Sequence, residues 1–181
     1  MNDEDELLRL IPPPIDITAD IDWETLEERL GVCLPRDYKW LVEFYGPGKF
    51  ADFLHILQPV TSFAPIRLEN SANRVSEILD QLRGSGENIP YPTEELLPVG
   101  TTDNGDTIYW VRRPGFDPGR WRIVVNAARN TKWPEFDGGI VQFLVATLSR
   151  RYRCEVFPDS FPGEEPVFSK YVIRASRRNQ R

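Results

Sequence analysis

Two cysteines and a single histidine leave little material for metal or nucleophile chemistry. Cys33 and Cys154 are far apart, with no CxxC pairing. A structural zinc site needs about four nitrogen and sulfur ligands, and these two with His55 fall short. In a reducing compartment the expectation is a pair of free, buried thiols. His55 sits in the strand-like FLHIL, where a packed structural histidine is expected. A Cys33–His55 nucleophile pair would need an exposed, polarised thiol, whereas Cys33 lies between Val32 and Leu34. There is no G-x-S-x-G elbow and no glycine run before Lys-Ser/Thr, so the hydrolase elbow and the phosphate loop are both missing. Asp103-Asn104-Gly105-Asp106 lacks the spacing and the final glutamate of a calcium loop. Glu27/Glu28 and Glu94/Glu95 are adjacent pairs that diverge on a helix, so neither forms a convergent carboxylate couple. The expectation is a chain with no cofactor, no metal and no small-molecule substrate.

Long apolar runs are also missing. No stretch reaches the roughly 18 residues of a membrane-spanning helix. The opening MNDEDELLRL is acidic where a signal peptide is basic and then apolar, so a cytoplasmic protein is expected. Positive charge is in short supply: the net charge is −6 and the pI about 5.0, which argues against a nucleic-acid partner. The charge is uneven. Residues 1–30 carry ten acids against Arg9 and Arg29, a net −8, while residues 150–181 carry a net +4. An acidic face of this kind can steer a basic partner.

What the sequence has in quantity is aromatic and aliphatic material: five Trp, ten Phe and six Tyr in 181 residues. Residues 1–20 read as an extended acidic lead-in, broken by Pro12–Pro14. A first helix is predicted from Asp22 as cap, with Ile21 and Leu26 as a staple, Trp23, Leu26 and Leu30 on one face and Gly31 as the stop. A second follows Pro35, with Tyr38, Leu41, Val42 and Tyr45 at helical spacing and Gly46-Pro47-Gly48 ending it. A buried strand is predicted over Phe53–Leu57. The next helix has Val75, Ile78, Leu79 and Leu82 as its apolar face. Asn104-Gly105 reads as a two-residue type I′ turn between strands Val99–Thr102 and Thr107–Arg112. Another strand spans Trp121–Asn126, a closing helix carries Ile140, Leu144 and Leu148, and Val167–Ile173 is a candidate edge strand before a basic tail. The fold class is α+β, with helices packed around a largely antiparallel sheet.

The run WETLEERLGVCLPRDYKWLVEFYGPGKFADFLHILQP, from Trp23 to Pro59, resembles the opening of SMI1/KNR4 (SUKH) domains. LPVGTTDNGDTIYW is similar to that family's middle hairpin, and FDGGIVQFLVATL to its closing helix. The resemblance covers about 21–152, leaving 1–20 as lead-in and 153–181 as a C-terminal extension. It implies an SMI1/KNR4-like α+β domain without catalytic residues. It also implies one of two settings: bacterial immunity proteins that neutralise toxins, often nucleases, or hub-like regulators of cell-wall synthesis with disordered arms. The absence of long arms points to the compact immunity type. An intracellular regulatory scaffold is the alternative, and an unrecognised enzyme a remote one.

The expected partner is therefore another protein, a basic toxin domain in the immunity reading. From charge and expected exposure, the candidate contact residues are Asp22, Glu24, Glu27 and Glu28 on the first helix, Asp103 and Asp106 at the hairpin tip, and Trp133 in the polar loop 130–134, since exposed tryptophans are enriched at binding hot spots. Gly105 is the sharpest local expectation. Replacing it with Val should destabilise the fold by about 1 kcal/mol or more, because a β-branched residue resists positive φ. The denaturation midpoint reads this directly, and an unchanged midpoint would place the turn elsewhere.

Overall fold

A computed structural model of the chain describes residues 2–15, 20–113, 115–128 and 131–171. Among these residues there are five α-helices: α1 (Asp3–Leu10), α2 (Trp23–Leu30), α3 (Arg36–Tyr45), α4 (Leu68–Gly84) and α5 (Ile140–Leu148). The strands are β1 (Gly48–Phe50), β2 (Leu54–Ile56), β3 (Leu96–Thr102), β4 (Thr107–Val111), β5 (Arg122–Asn126), β6 (Glu135–Phe136) and β7 (Phe168–Lys170). They form one antiparallel sheet in the order β6-β5-β4-β3-β2-β1-β7. The fold is α+β, as expected.

Alternation along the strands gives the sheet two unequal faces. Leu97, Ile108, Trp110, Ile123 and Val125 point into a large core shared with α1, α2, α3 and α5. Leu96, Tyr109, Val111 and Val124 point the other way, into a small core that α4 covers through Leu79. α4 is a peripheral helix: Ile78, expected on its apolar face, is exposed, and Val75 is only partly covered.

α5 is the centre of the large core, with Ile140, Val141, Phe143, Leu144, Val145 and Leu148 all buried. Its first turn has no local side-chain cap. Asp37 of α3 supplies one from 104 residues away, its carboxylate accepting from the Val141 N–H at 3.2 Å. Burial raises the Asp37 pKa, while the backbone N–H groups of Val141, Tyr38 and Ile140 pull the other way. A side chain on Gly139 would collide with this carboxylate, its Cβ lying 2.4 Å from Oδ2.

The lead-in is where the structure departs most from expectation. Residues 3–10 are helical rather than extended. Asn2 caps α1 by accepting from the Asp5 N–H at 2.7 Å, and four acids occupy the first turn, where the helix dipole favours them. Leu7 and Ile11 are fully buried against α5, and the Tyr45 hydroxyl donates to the Ile11 carbonyl at 2.7 Å. Leu7, Leu10 and Ile11 carry a helical spacing, and α1 ends before the prolines that follow. The C-terminal extension is also built in: Cys154 and Phe157 are buried, and Phe157 meets Phe53, Phe143 and Phe161 edge to face. Cys33, expected buried, is exposed.

Turn chemistry differs in an instructive way. The single predicted strand at Phe53–Leu57 is one arm of a β1–β2 hairpin. The positive-φ pair of a type I′ turn falls there, at Ala51 and Asp52, each with φ 50°. At Asn104-Gly105 only Gly105 has positive φ, at 88°. Its N–H donates to the Thr102 carbonyl at 2.9 Å and the Thr102 N–H to the Asp106 carbonyl at 3.0 Å. This is the three-residue loop with a left-handed glycine at its end. Gly48 serves close approach instead: a Cβ there would sit 2.4 Å from the Phe168 ring, where β7 lies on β1. Within the expected edge strand, Phe168–Lys170 form β7; Val172, Ile173 and the basic tail lie outside the described residues.

An eight-residue helix is marginal in isolation, so α1 persists through packing. Leu7→Ala should cost about 2–5 kcal/mol, the range for a buried leucine leaving a cavity. Chemical denaturation checks this, and a loss near zero would show that α1 is a dispensable arm.

Candidate protein-binding face

Near the hairpin end, the α4 side of the sheet changes character. Ser169, Lys49, His55, Thr101, Thr107 and Asn126 are successive cross-strand neighbours from β7 to β5. Each belongs to the face opposite the large core, because strand alternation sends Leu54, Ile56, Ile108 and Val125 inward. The row is half-exposed apart from His55, which is 7% exposed.

Asp103, at the tip of the β3–β4 hairpin, closes over this row. Its carboxylate accepts from Lys49 Nζ at 2.9 Å and from His55 Nε2 at 2.6 Å. A carboxylate only accepts, so Nε2 carries the proton and neutral His55 presents Nδ1 as an acceptor. The Tyr171 hydroxyl meets that nitrogen. Tyr171 stacks on the His55 ring and packs against half-exposed Phe63. Thr101 Oγ1 donates to the Asp106 carbonyl at 2.9 Å, tying the same hairpin from the side.

Burial depresses the His55 pKa, outweighing the hydrogen bond and charge of Asp103, while Lys49 adds to the depression. Burial pushes Asp103 upward, but the hydrogen bonds from Lys49 and His55 overcome it and hold the carboxyl below its usual range. Burial lifts the Tyr171 phenol to about 12 and the Cys154 thiol to about 11. Neither is thereby activated as a nucleophile, which needs a depressed pKa or a base free to take the proton. The chain Tyr171–His55–Asp103–Lys49 fixes the position of the hairpin and leaves the Asp103 side chain 43% exposed.

Beyond the polar row, the sheet meets α4 across a groove of about 660 Å³ lined by Ile78, Leu79, Ile89, Tyr109 and Trp133. Trp133 stacks on Tyr109 at 5.9 Å and leans on Tyr91 at 6.0 Å. It is half-buried, with one surface on the small core and the remainder lining the groove.

The candidate contact residues divide into three groups. Asp103 and Trp133 share the α4 side of the sheet. Asp22, Glu24 and Glu28 are exposed on α2, whose Leu26 belongs to the large core, so they occupy a separate surface. Asp22 also caps α2, accepting from the Thr25 N–H at 3.1 Å, and the hydrogen bond from the Thr25 hydroxyl leads the effects that lower its pKa. Glu27 and Asp106 are turned inward, contrary to the exposure expected of them. Glu27 accepts from the Leu34 N–H at 2.5 Å and pairs with Lys39 at 2.6 Å, stitching α2 to α3. Asp106 is 4% exposed and accepts from the Thr102 hydroxyl at 2.7 Å and the Ala128 N–H at 3.0 Å. His55, Lys49 and Tyr171 share no signal in the sequence, because the β1–β2 hairpin is joined by Tyr171 from 116 residues away.

An open antiparallel sheet face with a fixed acidic tip and an aromatic groove characterises this α+β domain. The chain belongs to the SMI1-KNR4 cell-wall family, whose family model matches residues 20–137. The match ends before α5, so neither α1 nor the closing helix lies within it. No curated protein and no solved structure matches the chain. Among the described residues, no helix is long and apolar enough to cross a membrane.

His55 gives the face a pH signature. The unfolded chain takes up a proton near pH 6.5, whereas the folded chain does so only at lower pH. The stabilising contribution is complete above about pH 6.5 and is lost as pH falls through the folded value. The wild-type denaturation midpoint should therefore drop from about pH 7 to 5 more steeply than that of His55→Gln. Parallel curves for the two proteins would mean that His55 titrates alike in both states.

Proposed function

We propose that this chain is a protein-binding immunity protein that neutralises a toxin, with a basic toxin domain, such as a nuclease, as its partner. Membership of the SMI1-KNR4 cell-wall family supports a protein-binding role. The observation that carries the reading is the fixed hairpin: Asp103 is held by two strands and still presents an accessible carboxylate beside a half-exposed polar row. Rigid placement before encounter lowers the entropy lost on binding. Trp133 supplies an apolar anchor at the other end of the same face. Asp22, Glu24 and Glu28 act at longer range, steering a basic partner without entering the contact.

Kinetics separate these roles. Reversing Glu24 and Glu28 to Lys, which spares the cap at Asp22, should slow association and weaken its salt dependence while dissociation changes little. Trp133→Ala should instead speed dissociation and raise Kd about tenfold or more. Because Trp133 also packs on Tyr109, thermal stability is measured in parallel. Partner identity comes from a pull-down in the native host read by mass spectrometry. Recovery of a resident regulatory client in place of a toxin would replace immunity with the scaffold role. Unchanged dissociation of Trp133→Ala would remove this face from the interface, and unchanged association of the Glu24/Glu28 variant would remove the steering role of α2.

A further inference from the structure

We propose that a cleft of about 360 Å³ beside the 118–120 turn binds phosphate groups, through Arg113, Arg120 and Arg122. β4 and β5 are paired with Val111 opposite Arg122, so the loop between them must return over the strand ends. The turns of that loop are fixed by backbone bonds. The Phe116 N–H donates to the Arg113 carbonyl at 3.1 Å and the Arg120 N–H to the Asp117 carbonyl at 2.9 Å. The Asp117 side chain accepts from the Gly119 N–H at 2.6 Å. Three arginines from ten residues of sequence thus line one opening.

In an acidic chain, cations are readily matched by neighbouring carboxylates, as Arg29, Lys39, Lys49, Arg83, Arg122, Lys132, Arg151 and Arg153 are. Arg113 and Arg120 are not: neither guanidinium has an ion pair or a hydrogen bond, both side chains are exposed, and the charge of Arg113 is felt at the Tyr91 phenol. Arg120 lies over the ring of Phe116 at 5.9 Å, a residue itself 50% exposed. Stacking on an aromatic ring steadies a guanidinium and leaves its N–H edge free for an anion. Arg122 is half-buried and shared with Glu135 at 3.0 Å. The lining sets three arginines against one carboxylate, Asp137. A phosphate monoester, with two negative charges and three terminal oxygens, can engage several guanidinium forks at once; one carboxylate satisfies only one fork. The cleft shares no lining residue with the groove at Trp133, and a small-molecule ligand departs from what the sequence suggested.

NMR titration tests this with inorganic phosphate, AMP, adenosine and a glutamate-rich peptide as probes, read at the indole N–H of Trp121, which lines the cleft. Phosphate and AMP should both give saturable shifts that weaken with added salt, and adenosine should give none. Similar affinities identify free phosphate as a sufficient ligand, and tighter AMP binding identifies a nucleotide as the better one. The exposed double variant Arg113→Gln/Arg120→Gln should fold normally and bind about tenfold more weakly or worse, since charge-assisted hydrogen bonds are lost. Asp137→Asn should bind more tightly. The proposal fails if neither phosphate nor AMP shifts Trp121, if the double variant binds as the wild type does, or if only the acidic peptide occupies the cleft.

Discussion

A helix that is apolar nearly all round has to be enclosed, and α5 imposes that demand on this molecule. Its nine residues lack the polar face that would let it lie on the surface. The sheet covers one side, α1 and α3 others, and the aromatic segment around Phe157 the rest. Enclosure also cuts its first N–H groups off from water, and Asp37 answers that need from α3. The same carboxylate is raised in pKa by the burial it suffers there, so the cap and the core are one arrangement. Elements outside the matched family span, α1 and α5, are therefore as necessary to the core as those within it.

Committing the better part of the helices to one sheet face leaves the other to α4 alone, and this asymmetry creates the open face proposed above for binding. α4 buries only Leu68 and Leu79 along its seventeen residues, so it covers the sheet incompletely. The uncovered strip carries polar side chains at every cross-strand position from Ser169 to Asn126. A half-exposed polar strip beside an aromatic groove resembles a protein interface in composition, with a desolvated aromatic centre and a polar margin. The Tyr171–His55–Asp103 chain makes the strip rigid. Burial keeps His55 neutral, and neutrality lets it donate to Asp103 while accepting from Tyr171.

Much of the fold was legible beforehand because local signals and tertiary needs agreed. Helical spacing at Tyr38, Leu41, Val42 and Tyr45 matched four buried positions on α3. Asp22 and Gly31 marked the two ends of α2 by capping chemistry that acts within a few residues. Strands β3 and β4 are announced by β-prone residues around Gly105, and β5 by the run Trp121–Asn126. Local signals failed where two of them competed. Pro12–Pro14 suppressed the reading of α1, although the helix ends before the prolines begin. Asn104-Gly105 attracted the type I′ assignment that belongs to Ala51-Asp52, a pair with no glycine to advertise its positive φ.

The sequence by itself determined the class of the protein, the positions of most elements and the acidic character of its first thirty residues. These depend on spacing, capping and composition, which operate over a turn or two of chain. Tertiary structure decided which charges are available. Glu27 and Asp106 look as solvent-facing as Glu28 and Asp103 in the sequence, yet each is consumed by backbone N–H groups that other segments bring to it. It also decided that His55, Lys49, Asp103 and Tyr171 form one unit, through contacts between residues 48 to 116 positions apart. Burial and partnership are properties of the assembled sheet, and no stretch of chain short enough to read locally contains them.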